Sequence, residues 1–197
     1  MGNIKSLKTS QDSPVNGTDD REAYPRHWIA ALVQMNMEKK TAQKLEKLGY
    51  ECYVPTQTEI HQWSDRKKKI QRIVIPMVIF VCVGKSDEKE LKKFSYIHKF
   101  VSYPGKTEAA IIPATQLDQL KFMLGNATSN VFIEKHLHLG DKVRVLRGPL
   151  KGLEGELTQL KDKKQAVAIS LESLGFACLE IPMIEVEVIK EKKYETI

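Results

Sequence analysis

The stretch Leu139-Gly140-Asp141-Lys142-Val143-Arg144-Val145-Leu146-Arg147-Gly148-Pro149-Leu150-Lys151-Gly152-Leu153-Glu154-Gly155-Glu156-Leu157 decides how the chain is read. Gly140 and Asp141 turn the backbone into a strand on which Val143 and Val145 share the face toward a core. Gly148-Pro149 presets a tight turn, since proline fixes φ and glycine accepts positive φ. Gly152 and Gly155 let the returning strand bend closely over the first. One such turn suits any small barrel. Four glycines at this spacing around a Val-x-Val strand are far more specific.

Downstream, Glu156-Leu157-Thr158, Ala166 to Leu171, Phe176 to Ile181 and Ile184 to Ile189 are short strand-like runs separated by turn residues. No amphipathic helix interrupts them, so residues 139–190 are expected to form a small β-barrel, with 191–197 as a tail. Upstream, the polar stretch Gly125 to Asn130 opens an expected linker over 125–138.

Residues 24–124 alternate between strand and helix patterns. Trp28 to Val33 reads as a buried strand, followed by a helix from Met37 to Leu48 capped by Asn36 and stopped by Gly49. Cys52 to Pro55 is a short strand. Glu59 to Trp63 and Ile70 to Ile75 flank a basic hairpin tip, and Met77 to Val83 is a central strand. A second helix runs from Ser86 to about Phe94; Phe100-Val101 and Ile111-Ile112 are short strands. A third helix follows Pro113, capped by Thr115 with Asp118 as its capping-box partner. Residues 1–23, rich in Ser, Asp, Asn and Thr, read as a solvated tail.

Charge is divided unevenly. Residues 1–23 carry 3 basic and 4 acidic groups, residues 24–125 carry 17 and 10, and residues 126–197 carry 11 and 11. The excess of seven positive charges in the middle segment is where a polyanion is expected to bind. The neutral last segment suits a protein partner.

Several classes are excluded. The longest apolar run, Ile73 to Val83, is too short to cross a bilayer, and no secretory signal precedes Ala23, so a cytoplasmic protein with no membrane association is expected. Cys52, Cys82 and Cys178 are read as buried thiols in a reducing compartment. His27, His61, His98, His136 and His138 are scattered, and no phosphate loop, nucleophile elbow or redox pair is present. No catalytic residue, metal or cofactor is expected.

The 139–157 stretch resembles the KOW motif, with Gly140, Asp141, Val143, Val145, Gly148, Pro149, Gly152 and Gly155 at its positions. The preceding segment resembles the N-terminal domain of the NusG family. His27-Trp28-Ile29-Ala30 is similar to the opening strand, Glu51 to Pro55 to the strand ending in proline, Arg66 to Lys69 to the basic hairpin, and Val74 to Val81 to the long strand. Lys99-Phe100-Val101 through Ile111-Ile112-Pro113 resembles the closing segment, so the likeness spans Tyr24 to Lys190.

This resemblance implies an α+β fold: an NGN-type α/β sandwich with a mostly antiparallel sheet, followed by a small SH3-like KOW β-barrel. It implies a monomeric transcription elongation or antitermination factor that binds RNA polymerase and reduces pausing or termination. Ile75, Met77 and Val78 depart from the pattern of general members, which usually have an aromatic residue at the first position and Gly-Tyr at the other two. The departures look more like specialised paralogues, RfaH and the UpxY antiterminators of surface-polysaccharide operons. The alternatives are a general housekeeping NusG and a ribosomal KOW-type RNA-binding protein.

Residue by residue, the resemblance puts Ile75, Pro76, Val78, Phe80 and Leu117 on the polymerase clamp helices, so Phe80→Asp is expected to abolish binding with the fold intact; the alternative is that they are core residues, since alternation buries about half of such a run, and the variant then unfolds. It puts Lys39, Lys40, Lys44 and Lys47 toward upstream or non-template DNA, with Arg66, Lys67, Lys68 and Lys69 touching nucleic acid or polymerase in the same way. Leu174 and Phe176 occupy positions that in general members meet a ribosomal protein or the termination factor Rho.

Overall fold

The computed structural model describes residues 26–62, 66–84, 86–160, 164–181 and 185–189. The apolar run that ends in Val83 forms β5 (Val78–Val83), in which every residue is buried. Such a run needs cover on both faces of its sheet, and it has it. β5 lies between β1 (His27–Val33) and β2 (Glu51–Tyr53), and β1 also pairs with β6 (Ile97–Phe100) and β7 (Ile111–Ile112). Every pairing in this sheet is antiparallel.

Strand alternation divides the sheet into two apolar layers. Ile29, Ala31, Val33, Ile79, Val81 and Val83 face α1 (Glu38–Lys47) and α2 (Asp87–Leu91), meeting Leu45 and Leu91. Trp28, Ala30, Val78, Phe80 and Cys82 face α3 (Ala114–Asn126), meeting Leu117, Leu120, Met123 and Leu124. β3 (Thr56–Gln62) and β4 (Lys67–Ile73) form a separate hairpin whose register runs from Thr56↔Ile73 to Gln62↔Lys67. The expected strand end at Trp63 and the hairpin-tip residues Ser64 and Asp65 lie outside the described residues.

The helix ends differ from expectation at three places, two of them for a backbone reason. Asn36 does not cap α1: it takes φ 62°, and Met37 sits at the cap without a side-chain bond. Asn tolerates the left-handed region, and here that property makes the turn in which Met37 N–H bonds Gln34 O at 3.1 Å. Ser86 stands at the cap of α2 without a side-chain bond, and that helix ends at Leu91, short of Phe94. Thr115 does not cap α3, because Pro113, with φ −56° already suited to helix entry, receives the first N–H bonds from Gln116 and Leu117. Gly49 does stop α1. With φ 87°, its N–H bonds Glu46 O while Tyr50 N–H bonds Leu45 O, a paired closure that needs the left-handed residue.

The second unit is a six-stranded sheet ordered β13-β9-β10-β11-β12-β8. Its strands are β8 (Phe132–Glu134), β9 (Leu139–Val145), β10 (Glu154–Gln159), β11 (Gln165–Ser170), β12 (Phe176–Glu180) and β13 (Val186–Val188). Val143 and Val145 are buried as their spacing implies. Gly148 and Gly152 adopt φ 78° and 89°, and the turn closes through Lys151 N–H to Gly148 O and Gly152 N–H to Val145 O. A Cβ on Gly155 would lie 2.7 Å from Ala168 O, so the close approach expected there is present.

The stretch read as a linker is only partly one. α3 runs on to Asn126, and β8 pairs with β12, leaving 127–131 as the connection. That connection is fastened to the hairpin base. Gln57, almost fully buried, donates Nε2–H to Ser129 O at 2.7 Å and accepts Val131 N–H at 2.9 Å. The Arg72 guanidinium donates to Val131 O at 2.9 Å and pairs with Glu59. The signal was missed because a buried glutamine leaves no periodic trace in sequence.

Candidate functional site

Three surfaces carry the residues singled out from sequence. The first is the α3 side of the sheet. Ile75, Val78, Phe80 and Leu117 are all buried there, and Pro76 is exposed. The buried four therefore shape this surface from beneath. Beside them lies an aromatic pair that sequence reasoning did not select, buried Trp28 from β1 and half-buried Tyr53 from β2, with Lys121 of α3 lying over both rings. Tyr53 stacks on Phe80 with centroids 6.1 Å apart. Burial pushes the Tyr53 hydroxyl up to about 12, so it stays protonated at neutral pH. Trp28 and Tyr53 are far apart in sequence, and only the β1–β5–β2 pairing brings them together.

Met77 explains one departure noted above. It takes φ 63°, a conformation that suits glycine and strains a side-chain-bearing residue. Two bonds hold it: its N–H donates to the buried Glu38 carboxylate at 2.8 Å, and its carbonyl accepts Val33 N–H at 2.8 Å.

The second surface is basic. On α1, Lys40, Lys44 and Lys47 project opposite the buried face formed by Glu38, Thr41, Ala42 and Leu45. Lys39 leans the other way, donating to Gln71 Oε1 at 2.7 Å. Cross-strand register puts Lys67, Lys69 and Gln71 on one face of the hairpin with Ile60, and Lys68 on the other. The Lys39–Gln71 bond thus joins the start of α1 to the Lys67/Lys69 face. Arg66, Lys67, Lys68 and Lys69 are all exposed. Lys44 is drawn instead toward Tyr96, its ammonium 4.9 Å from the ring centroid. Exposed Lys92, Lys93 and Lys99 extend positive charge onto the turn after α2 and onto β6. Sequence reasoning missed them because no short run flags them.

The third surface is the seam between the units. The expected partner-binding residues Leu174 and Phe176 are half-buried, and Leu174 packs against the apolar cluster that runs from α3 into the barrel. They flank Gly175, next to a 3-10 turn, Glu172–Leu174. Glu172, at φ 43°, accepts from Tyr103 Oη at 2.9 Å and from Gln116 Nε2 at 3.0 Å. Elsewhere along the seam a cavity of about 530 Å³ opens between Thr115, Asp118, Gln119 and Phe122 of α3 and Lys151 to Glu154 of the barrel.

The Glu172 bond holds the Tyr103 hydroxyl above its usual range. Glu172→Ala is therefore expected to drop Tyr103 back toward about 10, read by ultraviolet pH titration. It should also loosen the seam, seen as a larger radius of gyration in solution scattering. A Tyr103 titration that does not move would contradict this bond.

Burial pushes the Cys52 and Cys178 thiols to about 12 and raises Cys82; Cys82 and Cys178 are buried and Cys52 is half-buried. Among the described residues, no helix is long and apolar enough to cross a membrane. No group of three or more His, Cys, Asp or Glu side chains among them could hold a metal ion.

A family model described as the transcription termination factor NusG matches residues 26–121, and one described as the KOW motif matches residues 139–171. Among the solved structures that match is one titled "Domain interaction in Thermotoga maritima NusG". It has 18% identity and a TM-score of 0.49, covering 84% of this chain and 98% of the other. A second, the MjSpt4:Spt5 complex in conformation B, has 18% identity and a TM-score of 0.25, covering 83% and 97%. No curated protein sequence matches the chain.

Proposed function

From the premise that this chain joins a NusG N-terminal domain to a KOW motif, we propose that it is a transcription elongation factor that binds RNA polymerase. In this reading the first domain sets its α3-side surface, Pro76 with the ground formed by Ile75, Val78, Phe80 and Leu117, on the polymerase clamp helices. Its lysine-bearing face lies along upstream or non-template DNA. The observation that carries the reading is the match of both family models, in order, along one chain. The test is recovery with core RNA polymerase and an effect on pausing in single-round transcription. Recovery with ribosomal subunits alone would overturn it and favour the ribosomal KOW reading.

Lys39, Lys67 and Lys69 supply the electrostatic part. Glutamine at Lys67 and Lys69 should lower the slope of log affinity against log salt for duplex DNA by roughly 0.9 per lost phosphate contact. Base preference should not change, because phosphate contacts carry no sequence information. An unaltered salt slope would remove the hairpin from the interface.

A role dedicated to particular long operons, such as those for surface polysaccharides, rests on Ile75, Met77 and Val78. Met77 supports it most directly, since this chain retains a strained backbone where general members usually carry glycine. Transcript profiles of a deletion strain test the point. Selective loss of distal genes in long operons is expected, and uniform changes would favour a general factor. The half-buried Leu174 and Phe176 are proposed to meet a ribosomal protein or Rho when the loop is freed from the seam.

A further inference from the structure

Lysine lies over aromatic rings at several places on the first domain, but at one of them a single ammonium faces two rings. Lys121 Nζ is 5.0 Å from the Trp28 ring centroid and 5.3 Å from that of Tyr53. Trp28 is only 9% exposed. Burial alone would be served as well by a leucine or methionine at this position on α3. Two ring faces converging on one charge are instead the arrangement that attracts a cation, through the negative potential above each ring.

The present occupant is loosely held. The Lys121 side chain is 38% exposed, and its ion pair with Asp118, one helical turn earlier, is long at 3.8 Å. Asp118 is itself well exposed at the rim. The nearby Arg26 guanidinium is engaged by the backbone, donating to Cys82 O at 3.1 Å. A lysine has enough rotatable bonds to swing its head into water. What it would leave behind is two stacking faces and a carboxylate beside them.

We propose that Trp28, Tyr53 and Asp118 form a receptor for an arginine side chain of a protein partner, and that Lys121 is an internal occupant that gives way to it. Arginine fits better than lysine because its planar guanidinium stacks on aromatic faces and binds a carboxylate through two N–H groups. The proposal rests on the reading that this face docks on polymerase. It adds the chemistry of the docking residue.

Two measurements test it separately from that reading. Trp63→Phe leaves Trp28 as the only tryptophan, so its fluorescence reports on the box. N-acetyl-argininamide should quench it saturably in Lys121→Ala, and at lower concentration than in the protein that keeps Lys121. The neutral isostere N-acetyl-citrullinamide should do neither. Lys121→Gln, which keeps the stem and loses the charge, should fall between the two, and Asp118→Asn should weaken the arginine response. Alanine favours helix, so circular dichroism should stay native in Lys121→Ala.

Against core polymerase, Lys121→Ala should bind about two- to thirty-fold more tightly, the range of one cation–ring contact, and Asp118→Asn more weakly. Identical responses to the arginine and citrulline probes would overturn the receptor, whatever polymerase does. Absence of polymerase binding by the unaltered chain, with a positive arginine response, would overturn the docking reading and leave the receptor standing.

Discussion

Phe80→Asp is expected to unfold the first domain rather than strip an intact domain of its partner. From sequence alone a folded variant that cannot bind and a globally unfolded one were both open, and burial favours the second. Phe80 has no exposed surface, stacks against Tyr53 and sits opposite Ala30 in the β1–β5 ladder. Truncating such a ring costs about 3–5 kcal/mol. A carboxylate left there without a partner adds several more, or forces its own protonation. Domains are stable by only about 5–15 kcal/mol in total, so little of the folded state should remain. Circular dichroism and a urea melt decide it. A cooperative transition at the unaltered midpoint would show that Phe80 is not a core residue. Pro76→Asp is the fairer probe of docking, because Pro76 is exposed and its change leaves both apolar layers untouched.

The second large effect is expected at Gly175. Its φ is 105°, and a Cβ there would lie 2.5 Å from Glu134 O and 3.1 Å from Lys135 Cα. Gly175→Ala must therefore strain its own backbone, at about 1–3 kcal/mol, and push β8 away from β12, at roughly another 1–3 kcal/mol. A barrel of this size has only about 3–5 kcal/mol to lose. The variant should melt the barrel early while the first domain persists. Amide exchange would show it as lost protection at Ala177 and Cys178, which pair with Ile133 and Phe132. Unchanged protection there would mean that β8 is not needed to close the sheet.

Much of the fold was legible because it rests on local chemistry. The glycine spacing around Val143 and Val145, the left-handed stop at Gly49 and the alternation of Val78 and Phe80 against Ile79 and Val81 all follow from rules spanning a few residues. Errors came where the backbone of a nearby residue took a role that residue type alone assigns elsewhere, and where a segment pairs with a distant strand. Asn36 and Thr115 look like caps, but a turn and a proline carbonyl take those roles. Phe132 to Glu134 looks like linker until β12 supplies its partner.

The candidate site divides the same way. The lysines of α1 and of the hairpin stand out in the sequence as runs, while the Lys39–Gln71 bond that joins the two groups does not. In the sequence Trp28 and Tyr53 stand out only as parts of strands. Their meeting under Lys121 depends on sheet order and on the placement of α3.

The Gln57–Arg72 fastening also bears on how strongly the two units sense each other. A tether reduced to 127–131 holds the barrel near the first domain at an effective concentration of order millimolar even when the seam is open. A weak set of seam bonds, such as those made by Glu172, can then keep re-forming without high intrinsic affinity. Cutting the fastening while sparing Glu172 would lengthen the tether and dilute the barrel around its neighbour. Gln57 thus acts as a length regulator for a tether it holds through the Ser129 carbonyl and the Val131 amide.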